Sequence, residues 1–162
     1  MEQLEPMATE IATLLRERGE TVAVVETTAG GLVSAALLAV GGASVYYRGG
    51  AVTYTGIARD VLLDVDMGQH EGVRSSSEPY AQIIAAAIRA RLGATWGIGE
   101  TGAAGPTGNP YGDAAGHTCI AISGPRQHVE TLETALDDRE ENMWRFAKRT
   151  LEAFEATLRS AP

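Results

Sequence analysis

The sequence predicts a single α/β domain, and three observations carry that expectation. Apolar runs at helical spacing alternate with short β-branched runs, and glycine punctuates the junctions between them. With 162 residues, 44% hydrophobic and 21% charged, the chain has the length and composition of one soluble core former. Such an alternation packs as layers of helix on sheet. No repeat, linker or low-complexity tail interrupts it, so residues 1–162 read as one unit.

The elements follow in order. Leu4, Met7, Ile11, Leu14 and Leu15 lie at helical spacing and Gly19 follows, which predicts a first helix over 2–18. Residues 21–26 (TVAVVE) are β-branched and too short for a helix. Gly30-Gly31 then open LVSAALLAV, which Gly41-Gly42 close, so this stretch reads strand, tight turn, helix. Residues 45–55 are strand-like with a bend at Gly49-Gly50, and a short helix over 57–63 follows. Residues 64–76 lack a period and read as loop. Ser77-Glu78-Pro79 is a helix start, AQIIAAAIRARL its body and Gly93 its stop. Residues 95–99 and 117–123 read as buried strands joined by a long glycine-rich connection, with a further strand over 128–135. A closing helix over 139–158 gathers Met143, Phe146, Ala147, Leu151, Phe154 and Leu158 on one face.

Charge narrows the function classes. Thirteen basic against 21 acidic side chains leave a net charge of −8, which repels a phosphate backbone and excludes general nucleic-acid binding. No stretch approaches the roughly 20 consecutive apolar residues of a membrane span, and MEQLEPMATE lacks the pattern of a signal peptide. A cytoplasmic protein without a membrane partner is expected. The single cysteine, Cys119, forms neither an internal disulfide nor a thiolate cluster. His117 and Cys119 fall on one side of a strand, but His70, His117 and His128 have no ligand spacing, so no metal is expected.

Three features bear on chemistry. Glu26-Thr27-Thr28-Ala29-Gly30-Gly31 lies between strand and helix, where free N–H groups and the positive helix end suit an anion such as phosphate; it also reads as an ordinary threonine-capped turn. The stretch 97–116 holds seven glycines in twenty residues. Its opening matches G-x-G-x-x-G literally, yet Pro106 and Pro110 follow where the dinucleotide fingerprint requires a helix, so that motif is rejected. A loop this long inside a small domain is expected to bind something rather than merely connect. Ser44, Tyr54, Arg59, Arg74 and Ser77, with Arg139 and Arg145, complete the polar candidates; each alone reads as a solvated group or helix cap.

Taken together, ETTAGG after a strand, GASVYYRGGAVTY, SSEPYAQIIAAAI and ETGAAGPTGNPYGDAAGHTCIAI resemble the C-terminal domain of the competence/damage-inducible CinA family, which includes stand-alone nicotinamide mononucleotide amidohydrolases. The resemblance runs from about Met7 to Leu158. It implies a three-layer α/β/α sandwich with a mixed sheet, self-association into a homo-oligomer, no cofactor or metal, and a pyridine mononucleotide as the small-molecule partner. The implied reaction is hydrolysis of a linear amide C–N bond, releasing ammonia. Such acyl transfer to water needs a hydroxyl nucleophile, a base and N–H donors for the oxyanion.

Carried over residue by residue, the resemblance makes Thr27 and Arg59 the candidate catalytic positions, and Ala29, Gly30, Gly31, Ser44, Tyr54, Thr101, Gly102, Ala103 and Arg139 the candidate substrate-binding ones. The family's A-E-S-C-T-G-G carries the nucleophilic serine where this chain has Thr27; Thr28 and Ala29 replace the next two residues. Its Y-S-N-E-A-K carries the lysine base where Arg59 stands after Tyr54. Threonine can act as a nucleophile. A guanidinium stays protonated and has no acceptor, so arginine does not replace a lysine base. Three readings follow: an amidohydrolase with Glu26, Glu100 or Asp113 as substitute base, a nucleotide-binding module with an impaired catalytic site, and a structural oligomerisation domain.

Overall fold

Strand β1 (Val22–Glu26) is buried along its whole length, with Val22 and Val24 in one core and Ala23 and Val25 in another. A strand apolar on both faces requires a helical layer on each side. The computed structural model describes residues 1–162 and supplies both layers. On one side lie α1 (Glu5–Arg18), α2 (Leu32–Ala39) and α5 (Arg139–Ser160), which share the larger core. On the other lie α3 (Gly56–Leu63) and α4 (Glu78–Leu92). The remaining strands are β2 (Tyr47–Val52), β3 (Trp96–Ala103), β4 (His117–Ser123) and β5 (His128–Glu133). They run in the order β2-β1-β3-β4-β5, parallel across β2, β1 and β3 and antiparallel from β3 to β5. The result is a mixed-sheet α/β/α sandwich. No helix is long and apolar enough to cross a membrane.

Local chemistry sets the helix ends. Gly19 and Gly93 close α1 and α4 in the left-handed region, while Thr55, Ser77 and Asp138 accept N–H groups at the starts of α3, α4 and α5. Helix α1 begins at Glu5 rather than at residue 2, with Pro6 in its first turn.

The largest departure from expectation is at β3, which continues to Ala103 and absorbs the start of the stretch expected to be loop. Gly97 and Gly99 lie inside this strand. A Cβ on Gly97 would sit 2.1 Å from the Ala85 carbonyl oxygen, and one on Gly99 would sit 2.5 Å from that of Ala81. These glycines let α4 press onto the sheet. The carboxyl ends of β1, β2 and β3 therefore open at the same edge, where ligands collect in α/β sheets.

Candidate functional site

At that edge, two buried carboxylates hold the β1–α2 turn. Glu26 Oε2 accepts from the N–H groups of Gly31 (2.9 Å) and Val33 (3.0 Å), while Oε1 accepts from Ser34 N–H (2.9 Å) and Oγ (2.7 Å). Glu100, reaching across from β3, accepts with Oε2 from Thr27 N–H (3.1 Å) and Ala29 N–H (2.8 Å). Its Oε1 accepts from the hydroxyls of Thr118 (2.8 Å) and Thr28. Burial pushes the Glu100 carboxyl above the usual range, against the pull of the Thr28, Ala29 and Thr118 donors. Gly30 and Gly31 adopt φ of +67° and +100°, left-handed conformations that turn the chain around Glu26.

This arrangement corrects the anion site expected at Gly30-Gly31. The start of α2 already holds the carboxylate of Glu26, and the Ala29 N–H is taken by Glu100. Gly30 faces Met143 of α5, and none of Ala29, Gly30 and Gly31 lines the adjoining cleft. Ser44 is also displaced from it: it is exposed in a short turn before β2, at the strand's amino end.

The cleft has a volume of about 360 Å³. Thr27 and Thr28 border it from the turn, Thr53, Tyr54, Thr55, Gly56 and Arg59 from the β2–α3 segment, and Ser75, Ser76 and Tyr80 from the approach to α4. Thr101, Gly102, Ala103 and the glycine-rich loop close it, with Arg139 from the start of α5. Thr27, Tyr54, Arg59, Thr101, Gly102, Ala103 and Arg139 thus share one cavity.

Its lining is rich in hydroxyls and contains no carboxylate, histidine, lysine or cysteine; the cations are Arg59 and Arg139. Arg59 donates to Asp60 Oδ1 through Nε (2.8 Å) and Nη2 (2.6 Å). Partial burial opposes its charge, but Asp60 and the Tyr80 hydroxyl prevail and hold the guanidinium above its ordinary pKa. Arg139 donates to the Gly105 carbonyl (2.6 Å) and to the Tyr54 hydroxyl (3.2 Å). Arg145, by contrast, pairs with Glu141 of its own helix (2.7 Å).

The three carboxylates considered as substitute bases are all engaged elsewhere. Glu26 and Glu100 grip the turn. Asp113 takes a forked pair from Arg74 (2.6 and 2.9 Å) and a third bond from Asn109 Nδ2 (2.7 Å), which fasten the glycine-rich loop. Arg74 in particular holds the Asp113 carboxyl below the usual range.

Behind the cleft, Ser76 adopts φ of +56°, and its hydroxyl donates to the Gly102 carbonyl (3.1 Å). Its own carbonyl lies 2.9 Å from His117 Nε2, and His117 Nδ1 lies 2.5 Å from Glu133. A carbonyl and a carboxylate only accept, so this pair of neighbours favours the cationic imidazole, in which both ring nitrogens donate. Burial pulls its pKa down, yet Glu133, the Ser76 carbonyl and Asp113 override that and raise it. Cys119 Sγ stands 3.5 Å from His117 Nε2, and burial pushes the thiol pKa up. The shared strand side of these two residues therefore serves a hydrogen-bonded cluster that supports Ser76.

Three residues of the site have no counterpart among those expected from sequence: Thr53, Ser76 and Asn142, which bonds the Ala104 and Leu136 carbonyls (2.8 and 2.9 Å) at the base of the loop; Arg74 and Asp113 are each candidates from sequence, but not as an ion pair. No spacing rule connects these partners.

Comparison with known proteins identifies the family and relatives of the same fold. A family model described as the CinA C-terminal domain matches residues 4–158. A CinA-like protein of Acaryochloris marina is 38% identical over 122 residues, covering 75% of this chain and 29% of that protein. One of Synechocystis is 35% identical over 140 residues, covering 86% and 34%. The chain thus spans about three tenths of the length of the curated relatives it matches. Among solved structures, a competence/damage-inducible protein of Agrobacterium tumefaciens superposes with a TM-score of 0.89 at 26% identity, covering 98% of this chain and 96% of that one. A CinA superfamily protein of Klebsiella pneumoniae gives 0.89 at 25% identity, covering 96% and 98%. The family model covers nearly the whole chain and the relatives exceed 30% identity, so the chain belongs to the CinA family as a CinA C-terminal domain.

Proposed function

We propose that the cleft binds a pyridine mononucleotide and that hydrolysis of its amide is slow beside that of a family member with the serine and lysine pair. The observation that carries this reading is the lining: hydroxyls, backbone groups and two arginines, with no group suited to accept a proton near neutral pH. Arginine suits phosphate as a forked donor. The volume lies within the range of small-molecule sites, and the hydroxyls offer both donors and acceptors to a ribose and an amide. Thr27 stands where the family resemblance places the nucleophile, so acyl chemistry remains available to it at a reduced rate.

The test pairs two measurements on nicotinamide mononucleotide. Thermal stabilisation by the ligand is expected, together with ammonia release far below that of a Ser/Lys relative. Absence of binding overturns the proposal, and turnover equal to the relative's overturns its catalytic half. The same reading includes self-association, supported by exposed Ile57, Val61 and Leu62 on α3, the helix that follows the edge strand β2 in the chain. Sedimentation of the wild type against Val61→Glu tests that part.

A further inference from the structure

Thr53 Oγ1 is the one buried side-chain oxygen or nitrogen that finds no hydrogen-bond partner within the chain. The residue is 2% exposed and lies on the cleft wall. Its N–H donates to the Glu26 carbonyl (2.9 Å), which extends the pairing of β2 with β1 by one residue and sets Thr53 alongside Thr27. Three other hydroxyls of the cleft have partners: Thr28 on Glu100, Ser76 on the Gly102 carbonyl and Tyr54 under Arg139. Nearly all buried polar groups of native proteins are hydrogen-bonded, and one left bare pays desolvation without return. Valine fills the same volume without that penalty, so a threonine here is explained by a partner that arrives with the ligand.

We infer that Thr53 Oγ1 is a specificity-determining contact that hydrogen-bonds the carboxamide of the bound pyridine mononucleotide. The assignment to the carboxamide follows from the neighbour. Thr27 occupies the nucleophile position, so the group beside it is the one to be attacked, and a hydroxyl can accept from the amide NH₂ or donate to its carbonyl. The inference rests on the pyridine-mononucleotide reading and adds which end of the ligand lies against β2.

Calorimetric titration of wild type, Thr53→Val and Thr53→Ser tests it, with nicotinamide mononucleotide and with ribose 5-phosphate, which lacks the pyridine amide. Thr53→Val should weaken nicotinamide mononucleotide about tenfold, leave ribose 5-phosphate unchanged and leave the free protein's Tm equal or higher. Thr53→Ser should recover most of the affinity. Equal affinity of wild type and Thr53→Val for the nucleotide overturns the inference alone. An equal loss for both ligands, or a lower Tm in the free valine variant, also overturns it, because the hydroxyl then serves the sugar phosphate or the fold. Wild type that binds neither ligand overturns the underlying reading as well.

Discussion

Glu26 and Glu100 stand side by side on neighbouring strands and grip one turn between them, Glu26 from the α2 end and Glu100 from the threonine end. Backbone N–H groups that would otherwise attract an exogenous anion are thereby satisfied internally. Glu26→Ala strips partners from Gly31, Val33 and Ser34 at once, and buried donors left bare are costly. We expect a loss of at least about 3 kcal/mol in urea unfolding. A loss below about 1 kcal/mol would mean that water replaces the carboxylate without penalty.

Glu100 makes stability depend on pH in a defined direction. Burial raises its folded-state pKa above the unfolded value, so its contribution is fully present below the unfolded pKa and is lost as pH rises through the folded one. Glu100→Gln removes the charge yet keeps the grip, its carbonyl taking the Thr27 and Ala29 N–H groups while the Thr28 and Thr118 hydroxyls turn to accept its amide. The Tm advantage of the variant should grow as pH rises above the ordinary carboxyl range towards the folded-state pKa. A pH-independent difference would contradict this account.

His117 acts with the same sign through a different contact. Its raised pKa means that stability from the Glu133 and Ser76 contacts is complete below the unfolded value of about 6.5 and fades as pH climbs through the folded one. His117→Gln should therefore destabilise most below the ordinary imidazole range and least at alkaline pH, above the folded-state pKa. Because Ser76 lines the cleft, nucleotide affinity should weaken over the same alkaline interval in wild type and not in the variant. Carrying out both titrations in the Glu100→Gln background separates the two groups; a flat affinity profile there would disconnect His117 from the cleft.

The succession of elements was legible because its signals are local. Gly19 and Gly93 end helices, Ser77 starts one, and β-branched runs make the buried strands. The β3 boundary was not, because Gly97 and Gly99 look like loop residues until α4 is seen lying on them. The cleft divides in the same way. Thr27, Arg59, Gly102 and Arg139 meet because strand ends converge at a sheet edge, which an α/β alternation already implies. What happens to the N–H group of Ala29 depends on sheet register, which brings Glu100 to a turn 71 residues away. An unpartnered hydroxyl such as Thr53 is a property of the packed molecule and leaves no mark in sequence.

The remaining prediction concerns turnover. Arg59 sits at the base position, pinned to Asp60 and kept protonated, so it orients or binds but takes no proton. General-base catalysis contributes about 10² to 10⁴-fold, and that share is the deficit expected in wild type. Restoring the nucleophile alone leaves no base, and restoring the base alone leaves the β-methyl of Thr27 in the way. Thr27→Ser combined with Arg59→Lys should therefore raise ammonia release from nicotinamide mononucleotide by more than the product of the two single effects. Asp60 complicates the rescue, since a carboxylate beside the introduced lysine favours its charged form. It is more than half exposed, however, so solvent screens that influence, and adding Asp60→Asn should yield a further but smaller gain. Steady-state rates of wild type, the two single variants, the double and the triple decide the matter. Wild-type turnover of about 1 s⁻¹ or faster would overturn the expectation, because an enzyme at an ordinary rate has a working base, and none of the groups lining this cleft can be one.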